Sequence, residues 1–332
     1  MSKNVQPVGE VDDRQGARRA PLQPDTRNLK IRRLLDRIAE KAIFAIALIA
    51  ISIIFLIFVY VGREALPLVW SAEEGFRLSG LFGSPYSWQP VATGTGIPKY
   101  NVLPLILGTL KVTFIAMLLA TPLALAAALY TAEFAPPRLR GWIKPAIELL
   151  AGIPSVVLGF FTLIVLATWL QDVFGYVFRL NALVAGIGLT FAVIPIIYTV
   201  SEDALTAVPK LYREASLALG ASKAQTALRV VLPAAMPGIA AAIILGFGRA
   251  IGETMIVLMV SGNAAVISLS PTDGVRTLSA TIAAELGEVV FGSIHYRVLF
   301  FIGTLLFIIT AVLNWVGDRL NRRLRERLFG SA

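Results

Sequence analysis

The sequence predicts an all-α polytopic membrane protein with six transmembrane helices. Three observations carry that reading. Of 332 residues, 56% are hydrophobic and only 15% charged, and the mean hydropathy is +0.74. Six apolar runs, 42–61, 104–130, 146–170, 182–200, 234–260 and 298–317, approach the ~20 residues needed to cross ~30 Å of hydrocarbon. Lysine and arginine crowd into alternate loops. The N-terminal segment, loops 131–145 and 201–233 and the C-terminal tail hold 22 of them, against 6 in the intervening loops. A closed β-barrel also satisfies the backbone in lipid, but it is built from ~10-residue alternating segments, not long continuous runs.

Residues 1–27 have neither periodicity nor aromatics and read as a disordered tail. Residues 28–41 (NLKIRRLLDRIAEK) put Ile31, Leu34, Leu35 and Ile38 on one face and basic residues on the other. That is an amphipathic helix at the inner membrane surface, leading into the first span, so 28–61 form one unit. Segment 62–103 is an outer loop rich in Gly, Pro and aromatics (Phe82, Tyr86, Trp88, Tyr100). It fits either a partner contact or interfacial anchoring. Residues 104–317 hold the other five spans, of which the second and fifth are long enough to tilt or project. Residues 318–332 form a basic tail. The positive-inside rule places both termini and loops 131–145 and 201–233 in the cytoplasm. The net charge of +9 is therefore a topology signal, and no nucleic acid is expected as a partner. Cysteine is absent and His295 is the sole histidine, so neither a thiolate nor a multi-histidine metal site is expected. The polar stretch of about forty residues before the first run is too long for the n-region of a cleavable signal.

Two places stand out for chemistry. The polar loop EASLALGASKAQTALRVVLP (214–233) reads as an amphipathic helix–turn–helix between two spans. Glu214 opens it, and the small residues Ala215, Ser216, Ala218, Gly220 and Ala221 let a helix sit deep in a groove on another protein. Pro209 precedes it, and Pro233 is expected to end the second helix at membrane re-entry. An ordinary helical hairpin has the same composition. The second place is Arg249 and Glu253, i and i+4 in the fifth run, on one helix face. A central arginine costs from ~3 to well over 10 kcal/mol in lipid, and pairing makes it tolerable. Gly246, Gly248 and Gly252 clear space beside the pair. Either the pair is a structural salt bridge, or Arg249 meets an anion with its forked donors while Glu253 holds the charge until the anion arrives.

Other positions are weaker. Pro154, followed by Ser155, bends the third span, and this is either a solvated patch on a pathway or a packing kink. Glu148 lies toward the inner end of that span. Lys111 is expected to snorkel at the outer end of the second span. Glu285 and Glu288 read as solvated surface charge or a partner contact. No GxxxxGK[ST] loop is present, since GASKAQT (220–226) lacks the second Gly-Lys, and there is no Gly-x-Ser-x-Gly elbow. The chain is not expected to be an enzyme or to hold a cofactor.

The spacing Glu214-Ala215-Ser216, three residues, Gly220, nine residues, Val230, one residue, Leu232-Pro233 resembles the EAA loop of permease subunits of bacterial ABC importers, with Ser216 for the second alanine. RAIGET (249–254) just after it resembles the phosphate-specific (Pst) permeases; sulfate and molybdate permeases more usually end the segment GEF. PLILGTLKVT (104–113), ELLAGIPSVVLGFF (148–161) and TLSATIAAELGEVVFGSIHY (277–296) look like PstC rather than PstA. The resemblance covers roughly 104–317 and, more loosely, the first span. It implies a type I ABC importer (MetI-like) permease core in a bacterial inner membrane, carrying inorganic phosphate. It also implies a PstA-like second subunit, a PstB-like ATPase dimer that binds the ATP, and a PstS-like binding protein outside. Glu214, Ala215, Ser216, Gly220, Leu232 and Pro233 would couple to the ATPase (loop 212–233), and Arg249 and Glu253 would line the pathway. The alternatives are the same architecture for molybdate or sulfate, and a membrane scaffold that reports phosphate status.

Overall fold

The structure, a computed structural model, describes residues 26–70, 80–83, 88–90 and 99–330. The tail expected over 1–27 lies almost wholly outside the described residues, as do parts of 62–103, Tyr86 among them. The chain divides into two units, Met1–Ile57 and Phe58–Ala332. In the first, helix α1 (Thr26–Ala65) starts at Thr26. Its residues 35–57 are all exposed, and from Ile43 onward all but Ser52 are apolar. That is the surface a helix presents to lipid.

In the second unit, α2 (Pro67–Trp70), α3 (Gly80–Gly83) and an antiparallel pair, β1 (Trp88–Gln89) and β2 (Lys99–Tyr100), precede the remaining spans. Trp88 lies opposite Tyr100, and the two rings meet edge to face at 5.7 Å. Leu81, Trp88, Tyr100 and Val102 join Leu105, Leu278, Leu299 and Ile302 in one apolar cluster. The chain then runs through α4 (Leu103–Leu129), a π-helical turn Tyr130–Phe134, α5 (Pro137–Gly152), α6 (Ser155–Phe161), a second π turn Thr162–Leu166, and α7 (Ala167–Phe174). Next come α8 (Ala182–Thr206), α9 (Lys210–Ala218), α10 (Lys223–Thr226), a third π turn Ala227–Val231, and α11 (Leu232–Gly252). Helices α12 (Met255–Val260), α13 (Leu278–Glu285) and α14 (Ile294–Phe329) complete it.

Six helical stretches among the described residues are long and apolar enough to cross a membrane: Leu35–Ala65, Leu103–Phe134, Ser155–Phe174, Ala182–Thr206, Lys223–Gly252 and Ile294–Arg323. The third differs from the run read over 146–170. Pro154 has no N–H, and the residue before a proline is pushed to extended backbone. Ile153 adopts φ −70°, ψ 125°, so α5 stops at Gly152 and a new helix starts at Ser155. The bend expected at Pro154 is therefore a break, and Glu148 lies exposed on α5, ahead of the crossing stretch.

The core sits where α4 packs along α8. Ala116, Ala120, Ala124 and Ala128 are all fully buried. Their spacing of four keeps them on one face, and their size lets the two backbones approach. Gly186 on α8 shows how close that approach is, because a Cβ there would lie 2.4 Å from Ile115 Cγ2. Helices α11 and α12 close the other side of α8 with Ile239, Ala242, Ile256 and Val260.

Candidate functional site

Close contacts along α8 give the depth of Arg249. A Cβ at Gly238 would meet Ala204, near one end of α8; at Gly246 it would meet Ile197 and Val193. Ile256 lies against Gly188, and Gly262 against Leu180 beyond the other end. Arg249 and Glu253 fall between Gly246 and Ile256, so they sit about halfway along α8. Here the fifth span differs from the continuous helix expected over 234–260. Helix α11 ends at Gly252, Glu253 is extended (φ −68°, ψ 127°), and α12 starts at Met255. Backbone groups at the break find partners, as they must in lipid. The Ser279 hydroxyl donates to the Glu253 carbonyl at 3.0 Å, and the Leu258 amide donates to the Thr254 carbonyl at 2.9 Å.

The expected pair survives the break. Arg249 Nη2 lies 3.5 Å from Glu253 Oε2, close enough for an ion pair but beyond ordinary hydrogen-bond length. The two partners differ in burial: the carboxylate side chain is 4% exposed and the arginine 47%. Arg249 shares its exposed face with Leu245 and Gly252, while Ala250 and Gly246 face the core. Gly248 and Gly252 have nothing within 4 Å of an added Cβ, whereas Gly246 is closed by α8. Of the three glycines, two leave room beside Arg249 and one packs a neighbouring helix.

The EAA-like loop has the helix–turn–helix form. Pro209 precedes α9, on which Glu214 and Ala215 are exposed. The Ser216 hydroxyl reaches the Thr226 hydroxyl at 2.9 Å and ties α9 to α10. Gly220 has φ +84°; its amide donates to the Leu217 carbonyl and the Ala221 amide to the Ser216 carbonyl. This is a paired C-terminal cap that needs a left-handed residue at that point. Ser222 and Gln225 then form a reciprocal N-terminal box on α10. Pro233 does not end the second helix. Its ring displaces one i→i−4 bond, and the π turn Ala227–Val231 absorbs this, with Leu232 N donating to Ala227 O. Helix therefore runs without interruption from Lys223 through Leu232 and Pro233 to Gly252. Leu232 and Arg249 lie about 26 Å apart along one helix. The loop and the mid-depth charge are separate sites joined by a single rod.

Three ionic clusters escaped the reading of the sequence. Glu202 on α8, 1% exposed, accepts from Arg140, from Lys144 at 2.8 Å and from Thr206 at 3.1 Å; Lys144 also reaches Asp203 at 3.0 Å. Hydrogen bonds that the Lys144 ammonium donates to the Glu202 and Asp203 carboxylates hold it protonated well above the usual lysine range. Arg213 on α9 is bound to Glu133 at the end of the second span. At the opposite end, Glu285 is not a solvated charge. It accepts from Trp88 Nε1 at 2.8 Å, pairs with Arg276, and faces His295 Nε2 at 2.8 Å. Burial, and then the Glu285 charge, raise the Tyr100 phenol. Lys111 does not snorkel freely, because its ammonium donates to the Ser270 carbonyl at 3.0 Å. Among the described residues, no cluster of three His, Cys, Asp or Glu is placed to hold a metal.

A charge kept at mid-depth on an exposed helix face is costly in lipid, which makes this face a candidate pathway or subunit interface. The class so defined is that of polytopic transport subunits. The chain belongs to the family described as binding-protein-dependent transport system inner membrane component, which matches residues 120–329. It is 37% identical over 284 residues to the probable ABC transporter permease protein YqgH of Bacillus subtilis (strain 168), covering 84% of this chain and 88% of that one. It is 35% identical over 294 residues to the phosphate transport system permease protein PstC of Mesorhizobium japonicum, covering 82% and 88%. Among solved structures it resembles the MetNI methionine ABC transporter in an inward-facing form (TM-score 0.55, 21% identity, 67% of this chain and 95% of that one). It also resembles a bacterial alginate ABC transporter in complex with an alginate-bound periplasmic protein (TM-score 0.59, 17% identity, 88% and 98%). These structures share the fold, that of MetI-like ABC importer permeases, and the chain is a multi-pass inner-membrane protein.

Proposed function

We propose that the chain is the PstC-like permease subunit of an ATP-driven inorganic phosphate importer. It forms the pathway with a PstA-like subunit, and both of its termini and the loop 212–233 lie in the cytoplasm. A PstB-like ATPase dimer binds and hydrolyses the ATP, and a PstS-like protein delivers phosphate from outside. The observation that carries this reading is Arg249, a guanidinium half exposed at mid-depth on an open helix face. A fixed positive charge with forked donors recognises phosphate oxygens, and the long ion pair to Glu253 leaves those donors weakly engaged. Glu253 balances the charge when the site is empty and gives way when the anion arrives. Phosphate itself is supported by the names of the relatives, of which the PstC proteins span most of this chain.

The loop reading is supported by an apolar surface on a polar helix. Leu211, Leu217 and Leu219 are 72%, 49% and 90% exposed around Glu214 and Ala215. Outside lipid, such a patch marks a protein contact. Glu214, Ala215, Ser216 and Gly220 form the docking hairpin, and Leu232 and Pro233 begin the rod that carries its motion toward Arg249. The test is radiolabelled phosphate uptake by ATP-loaded vesicles holding the assembled importer. Uptake that needs ATP and disappears in Arg249→Gln is expected. Competition by molybdate or sulfate in place of phosphate, or no uptake by the assembled wild type, would refute the reading.

A further inference from the structure

Arg213 makes more bonds than a surface arginine needs. Its Nε and Nη2 grip Glu133 (3.1 and 3.3 Å from Nε, 2.7 Å from Nη2) in the π turn that ends the second span. The same guanidinium donates from Nη2 to the Leu205 carbonyl at 2.8 Å and from Nη1 to the Val208 carbonyl at 2.5 Å, at the end of α8. Leu205 lies in the last turn of α8 and Val208 just beyond it, where helix carbonyls are open to side-chain donors; Leu205 O also takes the Val208 amide at 3.4 Å. Glu133 is 8% exposed and Arg213 is 21% exposed, so the contact is shielded from competing water. A planar fork held by five bonds in three directions fixes orientation as well as distance.

We infer that Arg213 is a positioning residue that makes α9 one mechanical body with the ends of the second and fourth spans. This rests on reading 212–233 as the ATPase docking loop. The rod from α10 into α11 carries one part of a push on the loop; Arg213 carries another into α4 and α8, the pair that forms the core. Without it, α9 could yield to the ATPase while those spans stayed still.

The chain has no cysteine, so with cysteine-free partner subunits the two introduced thiols are the only ones to label. Lys210→Cys on α9 and Leu123→Cys on α4, both at exposed positions, are spin-labelled in the fully assembled importer. Their distance is measured without nucleotide and with ATP–vanadate. One narrow distribution, the same in both states, is expected. With Arg213→Ala added, the distribution should broaden and phosphate moved per ATP should fall about tenfold while hydrolysis continues. A wild-type distance that changes between states overturns the inference, as does Arg213→Ala with unchanged distance and ratio. If Arg213→Ala does not assemble, Glu133→Gln, which keeps the shape and loses the charge, is read the same way, and wild-type behaviour again overturns the inference. The distance needs no phosphate. Rigid labels in a complex that moves no phosphate would therefore sink the functional reading and leave the clamp standing.

Discussion

The unequal burial of Arg249 and Glu253 predicts that stability and transport respond differently to removing the pair. Unit charges 3.5 Å apart attract by about 5 kcal/mol at an effective dielectric of about 20. With the guanidinium 47% exposed, solvent screening reduces this to about 2 kcal/mol. Arg249→Gln leaves a 4%-exposed carboxylate without its cation and should cost that full amount. At roughly 2–4 °C per kcal/mol for a large domain, melting should fall by roughly 4–8 °C. Arg249→Gln/Glu253→Gln removes both charges and should regain most of the loss, while phosphate uptake stays absent. The assay pairs tryptophan-fluorescence melting of the purified complex with vesicle uptake. Recovery of uptake in the double variant would show that the arginine is only a counter-charge. An unshifted melting temperature in the single variant would show that the pair does not stabilise the fold.

Other expectations are simpler to state. Gly220→Ala forces an L-residue to φ +84° with open space around it, so only backbone strain of roughly 1–2 kcal/mol should appear, together with less phosphate moved per ATP; Gly220→Asn should be milder. Arg140→Ala/Lys144→Ala strands the buried Glu202 carboxylate and should lower stability by about 3–5 kcal/mol, more than either single change, as read by melting. Because its carboxylate partners raise the Lys144 pKa, the contribution of that ammonium is complete below about 10.5 and is lost only as pH climbs beyond it. The melting cost of Lys144→Ala should therefore be equal at pH 7 and pH 9. Glu285→Gln weakens the bonds from Trp88 and Arg276 and should cost roughly 1.5–3 kcal/mol, with a shift in tryptophan emission.

The spans, the polar hairpin and the mid-depth arginine were legible in the sequence because each is written locally. Lipid demands a continuous apolar run, and a proline or a left-handed glycine acts on its own neighbours. Pro154 therefore marked a disturbance in the third span, read as a bend where the chain makes a full break, and the loop's helix–turn–helix form was legible, though not the left-handed turn at Gly220. A local rule also failed at Pro233, where it pointed to a helix end. The i→i+5 turn just before Pro233 absorbs the missing bond, and that turn has no residue signature of its own. The break at Glu253 likewise has no proline, and the partner of its carbonyl is the Ser279 hydroxyl, 26 residues onward. Glu202 meets Arg140 and Lys144 across 62 and 58 residues, and Arg213 meets Glu133 across 80. The sequence by itself determined how many times the chain crosses, where charge enters the membrane, and which loop is a helical hairpin. Only the tertiary structure decided which charges distant in sequence pair, which face of α11 stays open, and what the hairpin grips. Hydrophobic period and backbone preference are properties of neighbouring residues, whereas pairing depends on which helix ends the packing of α4, α8 and α11 brings together.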